Sequence, residues 1–434
     1  MQKNRIKRWI FLFSLLIVCF LLVSCQTGAS TGGSSKKIDT AAKDKTVLSF
    51  WTIDLKANFK DYFENLISKY ETAHPDITID WTDVTYDDIV PKLQEAIRKN
   101  QAPDVVNLNT QMALSMAGQN QLLDVNTVLS EQQKAIYTDS LWDSARMGDQ
   151  VYALPWYASP DIMFVNGTLL QQAGLTTTPV TMDEALAMAP RFHKATGAYL
   201  FTPDELFYLL LENNIPILNE DRTKAAFNTE ETAELLKRYK VASDAGVIPK
   251  SIWGSWDDTL ALYESSKLAT ISSSGSSLNI LKEDAPYMYR KTGIAHPLVG
   301  SSGFSRNSLM NLVIPSASKN QAAAVDFAAF VTNDDNQLAF CKLVPIFPST
   351  EKAGADPYFT SDMATLEGRS AAMSAKASET SRDFSLGVAH QDEIQYAVNE
   401  IYESFIVLDD DLKPSLDRAE QKVNEILAGN VDGS

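Results

Sequence analysis

Val47-Leu48-Ser49-Phe50-Trp51 is a short apolar run, and the segments that follow it as far as Leu108 decide the fold. Phe59, Tyr62, Phe63, Leu66, Ile67 and Tyr70 recur at i, i+3, i+4, i+7, i+8 and i+11, the spacing of one helix face. His74-Pro75-Asp76 breaks that period, because proline cannot continue a helix. Ile77, Ile79 and Trp81 then alternate with polar residues, as a half-buried strand does. Asp87 or Asp88 can cap a second helix bearing Ile89, Leu93, Ala96 and Ile97, with Pro91 tolerable in its first turn. Pro103-Asp104 leads into a third strand, Val105-Val106-Asn107-Leu108. Alternating strands and helices with connections this short imply parallel strands joined by right-handed crossovers. Ligands of such sheets sit beyond the carboxyl ends of the strands. Trp51-Thr52 and Asn109-Thr110-Gln111 therefore belong on the rim of a cleft.

Upstream, Lys3, Arg5, Lys7 and Arg8 precede an apolar run from Ile10 to Val23, which stops at Leu22-Val23-Ser24-Cys25. A cationic start, an apolar stretch of this length and a small residue at its end read as a secretory signal over residues 1–24. The run falls short of the ~20 apolar residues a membrane span needs. Leu-Val-Ser-Cys resembles the bacterial lipobox, which implies lipidation of Cys25 and a protein held on the outer face of the cell membrane. Residues 25–45 offer almost nothing to bury and read as a flexible tether.

The chain holds 38 basic and 55 acidic residues; the leader takes four basic ones, leaving 34 against 55 and a net charge of −21. Such a field repels nucleic acid. Of the cysteines, Cys19 leaves with the leader and Cys25 is the lipidation residue, so Cys341 has no intramolecular partner and reads as a small buried hydrophobe.

Further motifs extend the pattern over the mature chain. Phe50-Trp51-Thr52, Tyr70-Glu71-Thr72-Ala73-His74-Pro75-Asp76-Ile77 and Ala102-Pro103-Asp104-Val105-Val106 are followed by Tyr152-Ala153-Leu154-Pro155-Trp156-Tyr157 and Phe164-Val165-Asn166. Gln172-Ala173-Gly174-Leu175, Val313-Ile314-Pro315-Ser316 and Val344-Pro345-Ile346-Phe347-Pro348 come later. In order and spacing these resemble the bacterial extracellular solute-binding proteins of the maltose-binding-like family. The resemblance implies an α/β, two-lobed, clamshell fold of the periplasmic-binding-protein type with discontinuous lobes. The expected first lobe is 46–155 with 299–344, and the second 156–298 with 345–430. Crossings are expected near Trp156–Pro160 and Gly293–Pro297. Locally, Thr181 with Glu184, and Asn228 with Glu231, form capping-box patterns at helix starts in the second lobe.

Catalytic templates fit the sequence poorly: it has no His-Glu-x-x-His, no cysteine pair, no phosphate-binding glycine loop and no Gly-x-Ser-x-Gly elbow between a strand and a helix, the match at Gly28-Ala29-Ser30-Thr31-Gly32 falling in the tether. Aromatic residues carry the better indication, since indole and phenol faces stack on the C–H patches of a sugar while amides and carboxylates bond its hydroxyls. Trp51 reads as a platform or as core. Trp156-Tyr157 falls at the first crossing, and Trp253-Gly254-Ser255-Trp256 in an aperiodic loop, so these four rings are expected at the ligand. Trp81 and Trp142 read as structural. The resemblance adds Gln111 and Ser159 as hydroxyl contacts. It also adds Ser276, where relatives commonly carry a stacking tryptophan; Ser308-Leu309-Met310-Asn311-Leu312 replaces the usual Gly-Gly segment. The expectation is a monomeric, lipid-anchored carbohydrate receptor that captures an oligosaccharide between two lobes and delivers it to an ABC permease without cofactor, metal or catalysis. The rival readings are the same fold around a polyamine, peptide or chelate, and a secreted glycan-active enzyme.

Overall fold

The computed structural model describes residues 45–388 and 390–429. The leader and Cys25 lie outside them. The three strands form where the alternation placed them: β1 (Thr46–Ile53), β2 (Ile77–Val84) and β3 (Val105–Asn109). β1 runs parallel to both neighbours, with Thr46 opposite Ile77 and Phe50 opposite Val105. Helix α1 (Lys56–Ala73) buries Phe63, Leu66 and Tyr70 and stops at His74, whose N–H donates to the Tyr70 carbonyl. Helix α2 (Ile89–Arg98) starts after Asp88. That residue does not cap it: its backbone is already helical, and its carboxylate reaches Lys92 at 3.0 Å instead. In the second lobe Thr181 and Glu184 do form the capping box. At the helix Glu230–Asp244 the cap falls one residue later than read, on Thr229, while Asn228 donates to Asp417.

The strand Leu154–Asn166 joins the two halves. As far as Pro160 it pairs antiparallel with Ser305–Val313, which in turn pairs with β3. From Asp161 onward its partners are Thr270–Ser274 and Thr292–Ala295. Alternation then assigns its side chains: Ile162 and Phe164 enter one core, Met163 and Val165 the other. The same holds in the first lobe, where Val105 and Phe50 face one core and Val106 and Leu108 the other. Each lobe is thus a sheet covered on both faces, as buried parallel and mixed sheets require. Among the described residues no helix is long and apolar enough to cross a membrane.

One stretch departs from the expected division. Ile346 and Phe359 pack into the first lobe's core, past Val344. The helix Leu366–Ser378 then puts Ala371 on the first lobe and Leu366 and Ala377 on the second. Ser381–Arg382 next adds in parallel to Ser305–Arg306, a third connection at the seam that no periodicity announces in so short a strand.

Candidate functional site

A cavity of about 280 Å³ opens where the two lobes meet the strand Ser305–Val313. The first lobe supplies Tyr86, beyond the carboxyl end of β2, and Asn109, Thr110 and Gln111 where β3 passes into helix α3 (Thr110–Gly118). Asn109 caps that helix by accepting from the Met112 N–H at 2.8 Å, and its amide donates to the Tyr86 hydroxyl at 2.7 Å. One turn of chain therefore fixes the cap and the phenol together. The second lobe supplies Tyr208 from the helix Leu206–Glu212, and Gln391, Asp392 and Gln395 from the helix Gln391–Tyr402. Arg306, Asn307, Ser308 and Asp383 form the floor. A second cavity of about 570 Å³ continues from the first, sharing Tyr86, Gln111 and Asp392.

Fixed charges organise the floor. The Arg306 guanidinium lies 3.4 Å from Asp161 and 3.2 Å from Asp204, and sits over the Tyr208 ring at 4.7 Å. Asp204 above all holds the guanidinium in its charged form. Burial pushes the Asp161 carboxyl up, and Arg306 offsets that only in part. Burial likewise raises Asp383, which accepts from the Ser385 N–H at 3.0 Å and the Leu309 N–H at 3.4 Å. The Tyr208 phenol, desolvated, is pushed up to about 12. Asn307 is 4% exposed, and its Oδ1 has no hydrogen-bond partner among the described residues. An unpaired buried acceptor costs about 1–3 kcal/mol, a cost the floor carries at Asn307.

Behind Arg306 lies a small cavity of about 50 Å³ lined by Asp204, Glu212 and Tyr239, among others. Oε2 of Glu212 and the Tyr239 hydroxyl both lack partners among the described residues. Burial, then the nearby Asp204, drives the Glu212 carboxyl well above its ordinary range. A raised folded-state value means stability is fully present below the unfolded value and declines as pH rises toward the folded one, with a one-proton slope of about 1.4 kcal/mol per pH unit. Glu212→Gln is accordingly expected to raise the melting midpoint at pH 8, with the gain shrinking toward pH 4. A pH series of thermal melts on both proteins checks this; an equal difference at every pH refutes it.

Of the residues expected at the ligand, Gln111 lines both cavities. Ser159 stands opposite Ser308 in the ladder, one strand away from the floor. The aromatic residues are elsewhere. Trp156 is 1% exposed, stacked on Phe340 at 5.6 Å in the first lobe's core. Tyr157 packs edge-on to Phe340 and is half-buried there, its phenol raised by desolvation. Consecutive strand residues ordinarily point to opposite faces, but the ladder with Ser305–Val313 shifts register between Pro155 and Tyr157, and both rings meet Phe340. Trp253 is 6% exposed, stacked on Tyr402 at 4.7 Å with its indole N–H donating to the Pro249 carbonyl. Gly254, at φ +67°, makes the turn possible: a Cβ there would stand 2.1 Å from Glu205 Cγ. Trp256 opens the helix Trp256–Glu264 and packs against the second lobe's core. Trp51 is partly buried against the core that holds Val106 and Leu108, and lines neither cavity. Ser276 bonds Ser274 at 2.6 Å and lines neither cavity.

The cleft's own rings are Tyr86, Tyr208 and Phe384. With Arg306, Asn307, Asp383 and Gln395 they went unread in the sequence. Tyr86 had a signal, since it follows the carboxyl end of a parallel strand.

Comparison with known proteins bears on the whole described body. A family model described as bacterial extracellular solute-binding protein matches residues 65–367. A binding protein of Brucella abortus is 24% identical over 311 residues, which is 68% of this chain and 75% of that one. The crystal structure of an oligosaccharide periplasmic-binding protein from Synechococcus superposes with a TM-score of 0.79 at 26% identity, over 89% of this chain and 100% of the other. The cyclic alpha-maltosyl-1,6-maltose binding protein of Arthrobacter globiformis gives 0.76 at 20% identity, again over 89% and 100%.

Proposed function

Because the chain belongs to the family of bacterial extracellular solute-binding proteins, we propose that it captures a carbohydrate between its lobes and delivers it to an ABC permease. The observation that carries this reading is the seam cavity. Both lobes contribute to it, amide, hydroxyl and carboxylate groups line it, and Tyr86, Tyr208 and Phe384 border it. That combination suits a polyhydroxylated solute: rings for the C–H patches, fixed acceptors and donors for the hydroxyls. The Synechococcus and Arthrobacter proteins, named for oligosaccharide and maltosyl-maltose binding, support the same class of ligand. Closure by bending at Pro160/Asp161 and at residues 296–304 would trap the solute, as hinge motions of two-lobed binders do.

The remaining parts of the reading rest on the sequence. Leu22-Val23-Ser24-Cys25 supports a lipid anchor on Cys25 and a place on the extracytoplasmic face. A monomer that binds without chemistry, passing cargo to separate permease subunits, needs no cofactor. We place the first lobe at 46–155 with 299 to about residue 361, since Phe359 still belongs to its core, and the second lobe around it. The purified protein, titrated with a panel of neutral oligosaccharides, is expected to show a saturable rise in melting temperature by mass action. Gln111→Ala should weaken the responding sugar at least ten-fold, about 1.4 kcal/mol, with the unliganded melt unchanged. Absence of any response across the panel, or release of cleavage products, would refute the reading.

A further inference from the structure

We infer that the cleft excludes anionic saccharides, such as uronates and sulfated or phosphorylated sugars, and selects among uncharged and amino-bearing ones. This rests on the reading of the cleft as a saccharide site and goes further, to the charge of its ligand. Arg306 is the one lysine or arginine among the described residues lining either cavity. A guanidinium on a binding floor ordinarily invites a carboxylate or phosphate, because it offers a bidentate fork of donors. Here both sides of that fork are already engaged, by Asp161 at 3.4 Å and Asp204 at 3.2 Å. One face of the guanidinium is also covered by the Tyr208 ring at 4.7 Å. The local group thus carries one positive and two negative charges.

The rest of the lining adds more of the same sign. Asp383 and Asp392 face the smaller cavity, and Asp87 and Glu393 the larger, where the His390 ring is itself engaged by Glu393 at 3.1 Å. An entering carboxylate would shed its hydration, meet no free cation and lie among these groups. Like-charge juxtaposition of this kind costs several kcal/mol, and a desolvated anion without a partner more. A hydroxyl faces no such penalty. It can donate to the carboxylates of Asp383 or Asp392 and accept from the Gln111 amide. The arrangement therefore uses arginine as a scaffold for two carboxylates instead of as an anion receptor.

The test isolates that neutralisation from the general reading. Wild type and the double variant Asp161→Asn/Asp204→Asn are titrated with sodium glucuronate and with inorganic sulfate, followed by thermal shift and calorimetry. Asparagine at 204 keeps the acceptor for the Glu205 N–H, which the carboxylate now bonds at 2.8 Å. Wild type is expected to show no saturable response to either anion. The variant, its guanidinium released, should bind glucuronate at least ten-fold more tightly than wild type, and adding Arg306→Gln should abolish the gain. If the double variant does not fold, Asp204→Asn alone carries the same comparison. Saturable anion binding by wild type overturns the inference, and so does a folded variant that gains none. Either result leaves the neutral-sugar panel free to succeed, while failure of that panel with success here would strike the carbohydrate reading and spare the electrostatics.

Discussion

Trp253→Ala is expected to cost about 3–5 kcal/mol of folding stability, the range for truncating a buried large aromatic side chain, while leaving ligand affinity within two-fold. The indole is 6% exposed, stacks on Tyr402 and meets Tyr239 edge-on, with ring centroids 4.7 and 5.3 Å apart. Its N–H bonds the Pro249 carbonyl at 3.0 Å, and the Tyr402 hydroxyl donates to the Lys250 carbonyl at 2.8 Å. Removing the indole strands a carbonyl and opens a void between the Glu230–Asp244 and Gln391–Tyr402 helices, so both the cavity and the lost hydrogen bond count. Trp253 lines neither cavity of the cleft, which is why affinity should be spared. Urea melts and calorimetric titration of the variant decide the matter. A stable protein that no longer binds its sugar would mean that the indole reaches the ligand after all.

That expectation reverses the sequence reading, and the reason is physical. Trp253-Gly254-Ser255-Trp256 shows no period, and aperiodic tryptophans are natural candidates for exposure. Yet burial is decided by what a loop is pressed against. Here a positive-φ glycine lets the backbone turn tightly on Glu205 and drives the preceding indole inward. Elements with a period were legible because a helix or strand repeats its buried face along its own sequence. Phe63, Leu66 and Tyr70 announce α1, and Ile77 and Ile79 announce β2. The cleft has no such internal repetition. Tyr86, Tyr208, Arg306, Asp383 and Gln395 meet at one cavity from segments far apart in the chain, each presenting a few polar residues that look unremarkable locally. Gln111, which lines both cavities, was placed on the rim by a topological rule, the carboxyl end of a parallel strand. The same rule reaches Tyr86. It does not reach Arg306, whose role depends on a strand returning from the other lobe.

Arg306→Met is the second large effect: a loss of about 3 kcal/mol at pH 7, the lower end for breaking a buried ion pair, because the arginine side chain keeps 28% exposure. Methionine matches the stem and can still cover Tyr208, so the loss reports charge more than packing. What remains is Asp161, with its side chain 11% exposed and no cation beside it, and Asp204 close by. Burial already pushes the Asp161 carboxyl up while the guanidinium is present, and removing the cation must raise it further. A group raised in the folded state contributes its full stability below the unfolded carboxylate value, about 3.9, and loses it as pH climbs through the folded value. The deficit of Arg306→Met relative to wild type should therefore be small near pH 4 and grow toward neutrality. Adding Asp161→Asn should recover part of it at pH 7 and flatten its pH dependence. Chemical melts of the three proteins between pH 4 and 8 measure this directly. A deficit equal at all pH values would place Arg306 in the fold through packing alone, and the floor of the cleft would then lose its claim to be held by charge.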